Sequence, residues 1–497
     1  MAIPSLKTQP IRNKTREVVF DAISDSRLVA GCEYRGRLVA GAVPRGVKHG
    51  GRAAQTHQNK TGGTRGGRAR LSDEPRLQAE PREGVPGVID TLEGFHEACE
   101  RFAAASGSLA ADAERASGFR YGHEDWLVQF KRAGAGIALF DPIALSRYRV
   151  DWNEFNGAVG DVAWIIHDSL QDLPGFADLG MRPQRLFDTE IAARLLNLRH
   201  FGLAAVTEHY LGLTLAKEHS AADWSYRPLP RDWRNYAALD VELLIELETT
   251  MRRELRRQGK SDWAEEEFVH ALAKGMGPRK EHPVPWLRIS HVNVLSHDRQ
   301  GQAIAKTLWE KRDELAQRYD ISPSLLLSDS AIIEAARRKP HNAKEFRAVR
   351  SLNERVRVHT GGEQDKMFER YAPIQRAVKP SMWKSVIQEA LDLPAEQWPT
   401  MPVIQPEEHA NAPRSMKLWS AKHPQRFARL QAARKIMTRI AEDTRTPAEM
   451  ILKPQIVRNL CWTDEPQRLD VPQFLGEQGA REWQIKLVAE SLSRVII

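Results

Sequence analysis

Ser108-Leu109-Ala110-Ala111-Asp112-Ala113-Glu114 is the stretch on which the fold turns. Small and apolar residues lead into two carboxylates set one residue apart. Read as a buried strand, the segment projects Asp112 and Glu114 from one side of a sheet, because strand side chains alternate with a period of two. Downstream, Trp126, Val128 and Phe130 alternate with Leu127, Gln129 and Lys131 and predict a second strand. Ile137-Ala138-Leu139-Phe140, closed by Asp141-Pro142, predicts a third, and Trp164-Ile165-Ile166-His167 a fourth. Upstream, Pro86 to Asp90 and then Thr91 lead into a helix over 92–104, and after His167 helical spacing dominates to about residue 272. Strands first, with helices alternating and following, predict an α/β domain over 86–275, a mixed sheet with helices packed on it.

Two further acids accompany the pair. Asp172 follows the fourth strand, and Asp240 lies in the helical run Asn235-Tyr236-Ala237-Ala238-Leu239-Asp240-Val241, with Tyr236 one turn earlier on the same face. Carboxylates without thiolates or a histidine cluster suit hard divalent ions such as Mg²⁺ or Mn²⁺. Two such ions about 4 Å apart activate water and stabilise a leaving oxygen in phosphodiester hydrolysis. Gathered without a counter-charge the acids repel, so ion binding and site geometry should be coupled. Asp188-Thr189-Glu190 repeats the acidic spacing but opens a helix, where residues two apart diverge by about 200°. Asp188 therefore reads as an N-cap, with Glu190 favourable in the first turn. Gly134-Ala135-Gly136 lacks the Lys-Ser/Thr ending of a phosphate loop, so no nucleotide cofactor is expected.

The net charge of +8 is unevenly placed. Residues 1–70 hold 14 Lys and Arg against 4 Asp and Glu, leaving 59 against 61 for the other 427 residues. Residues 1–85 read as a disordered, basic, Gly-rich tail, either an electrostatic arm for nucleic acid or a dispensable extension. With 41% hydrophobic and 28% charged residues the chain can bury a core. A mean hydropathy of −0.50 and the lack of an 18-residue apolar run argue against a membrane span, and the N-terminus lacks the apolar core of a signal peptide. Cys32, Cys99 and Cys461 lie too far apart for a metal knuckle or a disulfide framework, which fits a cytoplasmic protein. Glycines and prolines over 276–290 mark a linker. Beyond it come helices, grouped as one module over 291–370 and a second over 371–497, with patterning strongest at 423–443 and 471–495. Arg337, Arg338, Lys339, Lys344, Arg347 and Arg350 form a basic run in the first module.

The order of these motifs resembles the ribonuclease D family of the DEDD exonuclease superfamily, in the form found in high-GC Gram-positive bacteria. Asp112-Ala113-Glu114, continuing as Arg115-Ala116-Ser117-Gly118-Phe119-Arg120-Tyr121, matches the first motif; His167 through Asp172, then Leu173-Pro174, matches the second. Tyr236-Ala237-Ala238-Leu239-Asp240-Val241-Glu242 matches the third, with the tyrosine of the DEDDy subgroup. Leu215 to Ser220 and Asp223 to Leu229 are also similar, and 291–370 looks like the family's HRDC domain. The resemblance implies a ribonuclease H-like mixed-sheet exonuclease domain followed by all-helical HRDC-type modules. It implies Asp112, Glu114, Asp172 and Asp240 as ligands of two divalent ions and Tyr236 as the residue that orients water. Its implied partner is single-stranded RNA at a 3′ end, with tRNA precursors trimmed to nucleoside 5′-monophosphates by a monomer. Lys217, Arg120, Arg227 and His167 are candidates for contact with the nucleic acid. Asp168 departs from the small residue or Asn of relatives and reads as a solvated neighbour, a charge felt by the ions, or a partner for a basic residue. The same chemistry acts on DNA, and a catalytically silent RNA-binding scaffold is the reading from another class. A fragment ending near residue 280 is expected to keep hydrolysis of short strands.

Overall fold

The computed structural model describes residues 75–496 except 216–218, 220, 280–281, 357–362, 402–411 and 414, and the side chains of 363–365. The reading of residues 1–74 as a disordered arm lies outside the described residues, as do Cys32 and Lys217.

Among the described residues eight strands form two sheets. They are β1 Arg76–Gln78, β2 Val88–Ile89, β3 Ser106–Arg115, β4 Asp125–Ala133, β5 Gly136–Phe140, β6 Ala163–Ile166, β7 Arg185–Asp188 and β8 Leu213–Leu215. The main sheet runs β2-β5-β4-β3-β6-β7. The β3–β4–β5 hairpins are antiparallel, whereas β2, β6 and β7 join in parallel, so the sheet is mixed. The register pairs Asp112 with Gln129 and Arg115 with Asp125, and a shift falls between Glu114 and Arg115.

Both faces of this sheet are covered. On one, Phe130, Phe140, Phe155, Trp164 and Phe176 form an aromatic core with the helix Leu92–Ala104, whose Thr91 caps it by accepting from the Gly94 amide. On the other, Leu127 and Leu139 meet Trp224, Trp233, Ala237 and Ala238. The two alanines let the helix Arg231–Glu242 approach the sheet closely, and that approach brings Tyr236 and Asp240 over β3.

Three differences from the sequence expectations have physical causes. Strands β7 and β8 interrupt the stretch expected to be helical, and runs of four and three residues are too short for periodicity to separate strand from helix. Residues 75–85 belong to the folded body rather than to the tail: β1 pairs in parallel with β8, Glu80 pairs with Arg231 at 3.0 Å, and Arg82 pairs with Glu246. The first helical core also runs past residue 370. It includes Trp383, Val386, Ile387 and Ala390 of the helix Pro380–Leu391, packed on Arg299–Tyr319. A separate core from Ala412 to Ile496 forms the last module.

Both helical modules are joined to the α/β unit through buried side chains. Phe119 stacks on Phe368 at 4.4 Å and belongs to the first helical core. Trp483, from the last helix, stacks on Trp263 at 4.6 Å and belongs to the α/β core, with its indole donating to Glu267. A cut near residue 280 therefore opens two apolar faces, around Phe119 and Trp263, that the whole chain covers. Among the described residues no helix is long and apolar enough to cross a membrane.

Candidate active site

The predicted acids converge on one cleft of about 600 Å³, lined among others by Asp112, Glu114, Arg115, His167, Asp172, Phe201, Tyr236 and Asp240. Strand β3 supplies Asp112 and Glu114 from one face, as its alternation requires, and the helix Arg231–Glu242 supplies Tyr236 and Asp240. Asp112, Glu114 and Asp240 each offer a carboxylate oxygen, all within 4.8 Å of one another. Asp172 stands at the start of the helix Leu173–Leu179 but makes no cap bond there. It pairs instead with Arg115. Asp112 accepts a hydrogen bond from the Gln129 amide across the ladder.

Burial dominates the electrostatics. It pushes Asp112 up to about 8, helped by the neighbouring Asp240 charge, and Asp240 up to about 7 against the opposing hydrogen bond from Tyr236. Glu114 and Asp172 are pushed up for the same first reason. Tyr236 is raised far above a free phenol, by burial and then by the Asp240, Glu114 and Asp112 charges, so it keeps its proton and acts as a donor.

Several acids crowded in low dielectric call for a divalent counter-charge. The donor set is all oxygen, which fits Mg²⁺ or Mn²⁺. Asp112, Glu114 and Asp240 would hold such an ion. The sign of the pH dependence follows. Unfolded carboxylates titrate near 4, so between about pH 4 and 8 the folded site binds more protons, and stability without added metal falls as pH rises through that window. Ions replace those protons. The rise in melting temperature on exchanging EDTA for Mn²⁺ should therefore grow from pH 6 to pH 8, and a rise that stays flat or shrinks would contradict this assignment.

The other candidates are placed differently. His167 directly follows β6, lines the cleft, and bonds through Nδ1 to Thr189 Oγ1 at 2.8 Å; burial lowers its pKa. Asp168 also lines the cleft, accepts from Gln171, and turns the chain with φ 57°. Asp188 is the N-cap expected of it, accepting from the Glu190 and Ile191 amides. It also accepts from the Ser169 amide at 2.8 Å, which fixes the loop that carries Asp172. Arg227 does not face the cleft. Its guanidinium donates to Asp141 and to the Trp224, Tyr226 and Trp126 carbonyls, four of its five N–H groups, which leaves little for phosphate. Arg120 is held by Ser225 and, across to the first helical module, by Asp320 at 2.8 Å. Both arginines, candidates for phosphate contact from the sequence, lock structure here. Trp224 and Trp233 are core residues.

Sequence reasoning missed Gln129, Arg115 and Phe201. Gln129 sits on a strand whose two faces are both buried, which alternation alone does not reveal. Phe201, 37% exposed on the cleft wall with the Arg194 guanidinium 4.2 Å from its ring centre, gave only the signal of an aromatic in a polar loop.

Comparison with known proteins agrees with this geometry. Residues 86–256 match the 3′-5′ exonuclease family model, 301–363 match the HRDC domain, and 412–496 match a 3′ to 5′ exonuclease C-terminal domain. A ribonuclease D of Sphingobium indicum is 29% identical over 195 residues, 39% of this chain and 49% of that protein. The chain carries a 3′-5′ exonuclease domain and an HRDC domain and is homologous to members of the ribonuclease D family. Its match thus spans about half the length of this ribonuclease D relative. A crystal structure of a Bifidobacterium adolescentis protein shares 68% identity and a TM-score of 0.80, covering 85% of this chain and 100% of that one. Escherichia coli ribonuclease D, described as an exoribonuclease involved in structured RNA processing, shares the fold at 21% identity and a TM-score of 0.54, covering 82% of this chain and 98% of that one.

Proposed function

We propose that the protein is a metal-dependent 3′→5′ exoribonuclease that releases nucleoside 5′-monophosphates from single-stranded RNA 3′ ends, in the maturation of tRNA and other stable RNAs. The observation that carries this reading is the convergence of Asp112, Glu114, Asp172, Tyr236 and Asp240 on one cleft. Two bound divalent ions would supply water activation and charge neutralisation at the departing oxygen. The chain's own groups do the rest. Tyr236 keeps its proton and orients the attacking water by donating to it or to the scissile phosphate, while Gln129 and Asp188 hold Asp112 and the Asp172 loop in place. Phe201 offers a ring on which a 3′-terminal base can stack, a contact worth about 1–3 kcal/mol per base and indifferent to sequence. Affinity for longer RNA falls to the first helical module. Arg338 and Lys339 are paired with Glu334 and Asp298. Arg337, Lys344, Arg347 and Arg350 are exposed and make no ion pair among the described residues, so they are available to phosphates.

The preference for RNA is supported by the names of the relatives. Length-matched RNA and DNA strands in one reaction with Mn²⁺ test it: RNA should be consumed first, and a clear preference for DNA would overturn the substrate assignment.

A further inference from the structure

We propose that Arg115 is a resident counter-cation of the acidic cleft, which competes with divalent ions for Asp172 and so sets how tightly the centre holds them. The proposal rests on the metal-dependent reading above.

Arg115 directly follows the acidic pair, and strict alternation would turn it away from Glu114. The ladder keeps that alternation on β3 and skips Trp126 on β4, which sets Asp125 opposite Arg115 where alternation along β4 would not, and Arg115 lines the cleft from the side that carries Asp172. Its guanidinium is fixed from three sides. Both terminal nitrogens donate to the Gln171 carbonyl, at 2.9 and 2.6 Å. Both also donate to Asp172 Oδ1, Nη1 at 3.3 Å and Nη2 closer. Behind it, Nε lies 3.5 Å from Asp125 Oδ1.

Asp125 shows that this placement is built. It is 2% exposed, and neither carboxylate oxygen has a hydrogen-bond partner; burial pushes it up to about 7, and the Arg115 guanidinium is the first of the charges that oppose that rise. Its space is reserved by Gly175, where a Cβ would overlap the Asp125 carboxylate. Asp125 is not among the residues lining the cleft, so its place is to hold the guanidinium from behind. The consequence for Asp172 is twofold. The oxygen that accepts from Arg115 is turned from an incoming ion, and a fixed positive charge repels that ion. When ions are scarce, the same charge relieves the repulsion among the acids.

The test is Mn²⁺ binding by the full-length protein without RNA, read from the EPR signal of free Mn²⁺. Arg115→Gln should bind Mn²⁺ more tightly, on the order of tenfold, the scale on which a unit charge a few ångströms away acts on a divalent ion even at the dielectric of water. Arg115→Lys keeps the charge without the fork and should fall between the two. Melting in EDTA checks that each variant folds, and Arg115→Gln should melt below the parent there. Binding by folded Arg115→Gln that is equal to or weaker than the parent's would overturn the proposal, because a purely structural arginine could only weaken the site. Asp240→Ala is the control. If it weakens binding while Arg115→Gln does not tighten it, Arg115 alone is misassigned; if it titrates like the parent, the metal-centre reading falls and this proposal with it.

Discussion

Asp240→Ala should lower the rate of RNA hydrolysis at least on the order of a thousandfold, while RNA binding stays measurable. Asp240 is one of three acids whose oxygens gather within 4.8 Å, and it is also the acceptor for Tyr236. On the proposed reading its loss removes an ion ligand and frees the phenol that would orient water. On the same reading RNA is gripped elsewhere, by the Phe201 wall and the basic face of the first helical module, so affinity should survive. Asp240→Asn keeps the volume and removes the charge, and it should be nearly as inactive. Single-turnover assays with Mn²⁺, paired with filter-binding affinities, separate the two effects. Parental turnover in Asp240→Ala would show the ligand assignment to be wrong, and turnover lost only together with all RNA binding would point to misfolding.

The largest expected loss of stability lies away from the chemistry. Asp223 is fully buried and accepts from the Ser225 amide and hydroxyl, from Arg370 at 2.9 Å and from Tyr371 at 3.0 Å. It ties the loop before the helix Arg231–Glu242 to the first helical module. Asp223→Ala leaves the Tyr371 hydroxyl and two Ser225 donors without their acceptor in a dry junction. Arg370 is 42% exposed and keeps much of its hydration, so the cost is set mainly by the other groups, about 3 kcal/mol. Urea unfolding should show a clearly lower first midpoint, with hydrolysis of short strands per folded molecule retained. An unchanged midpoint would mean that the junction does not couple the two units.

The acids were legible because chemistry and periodicity coincide at them. Asp112 and Glu114 lie two apart on a strand, Tyr236 and Asp240 four apart on a helix, and each spacing by itself sends both side chains to one face. Asp188 was legible for the opposite reason, since a helix start cannot turn Asp188 and Glu190 the same way. What failed needed partners that a local pattern cannot name. Strand β1 exists because β8 receives it, and the short β7 because β6 does. Arg120 and Arg227 are cations in a nuclease-like stretch, yet Asp320, Asp141 and backbone carbonyls from distant segments claim them. Arg115 required the loop that carries Gln171 and Asp172, and Gln129 a register, before either could be placed beside the acids.

The most direct test of the central claim follows the products of one RNA labelled at its 3′ end or at its 5′ end, incubated with the full-length protein and Mg²⁺ or Mn²⁺. Labelled nucleoside 5′-monophosphate should appear from the first time point with the 3′-labelled strand. The 5′-labelled strand should shorten one nucleotide at a time, and EDTA should stop both. Internal fragments, release beginning at the 5′ end, or products that form equally well in EDTA would contradict it.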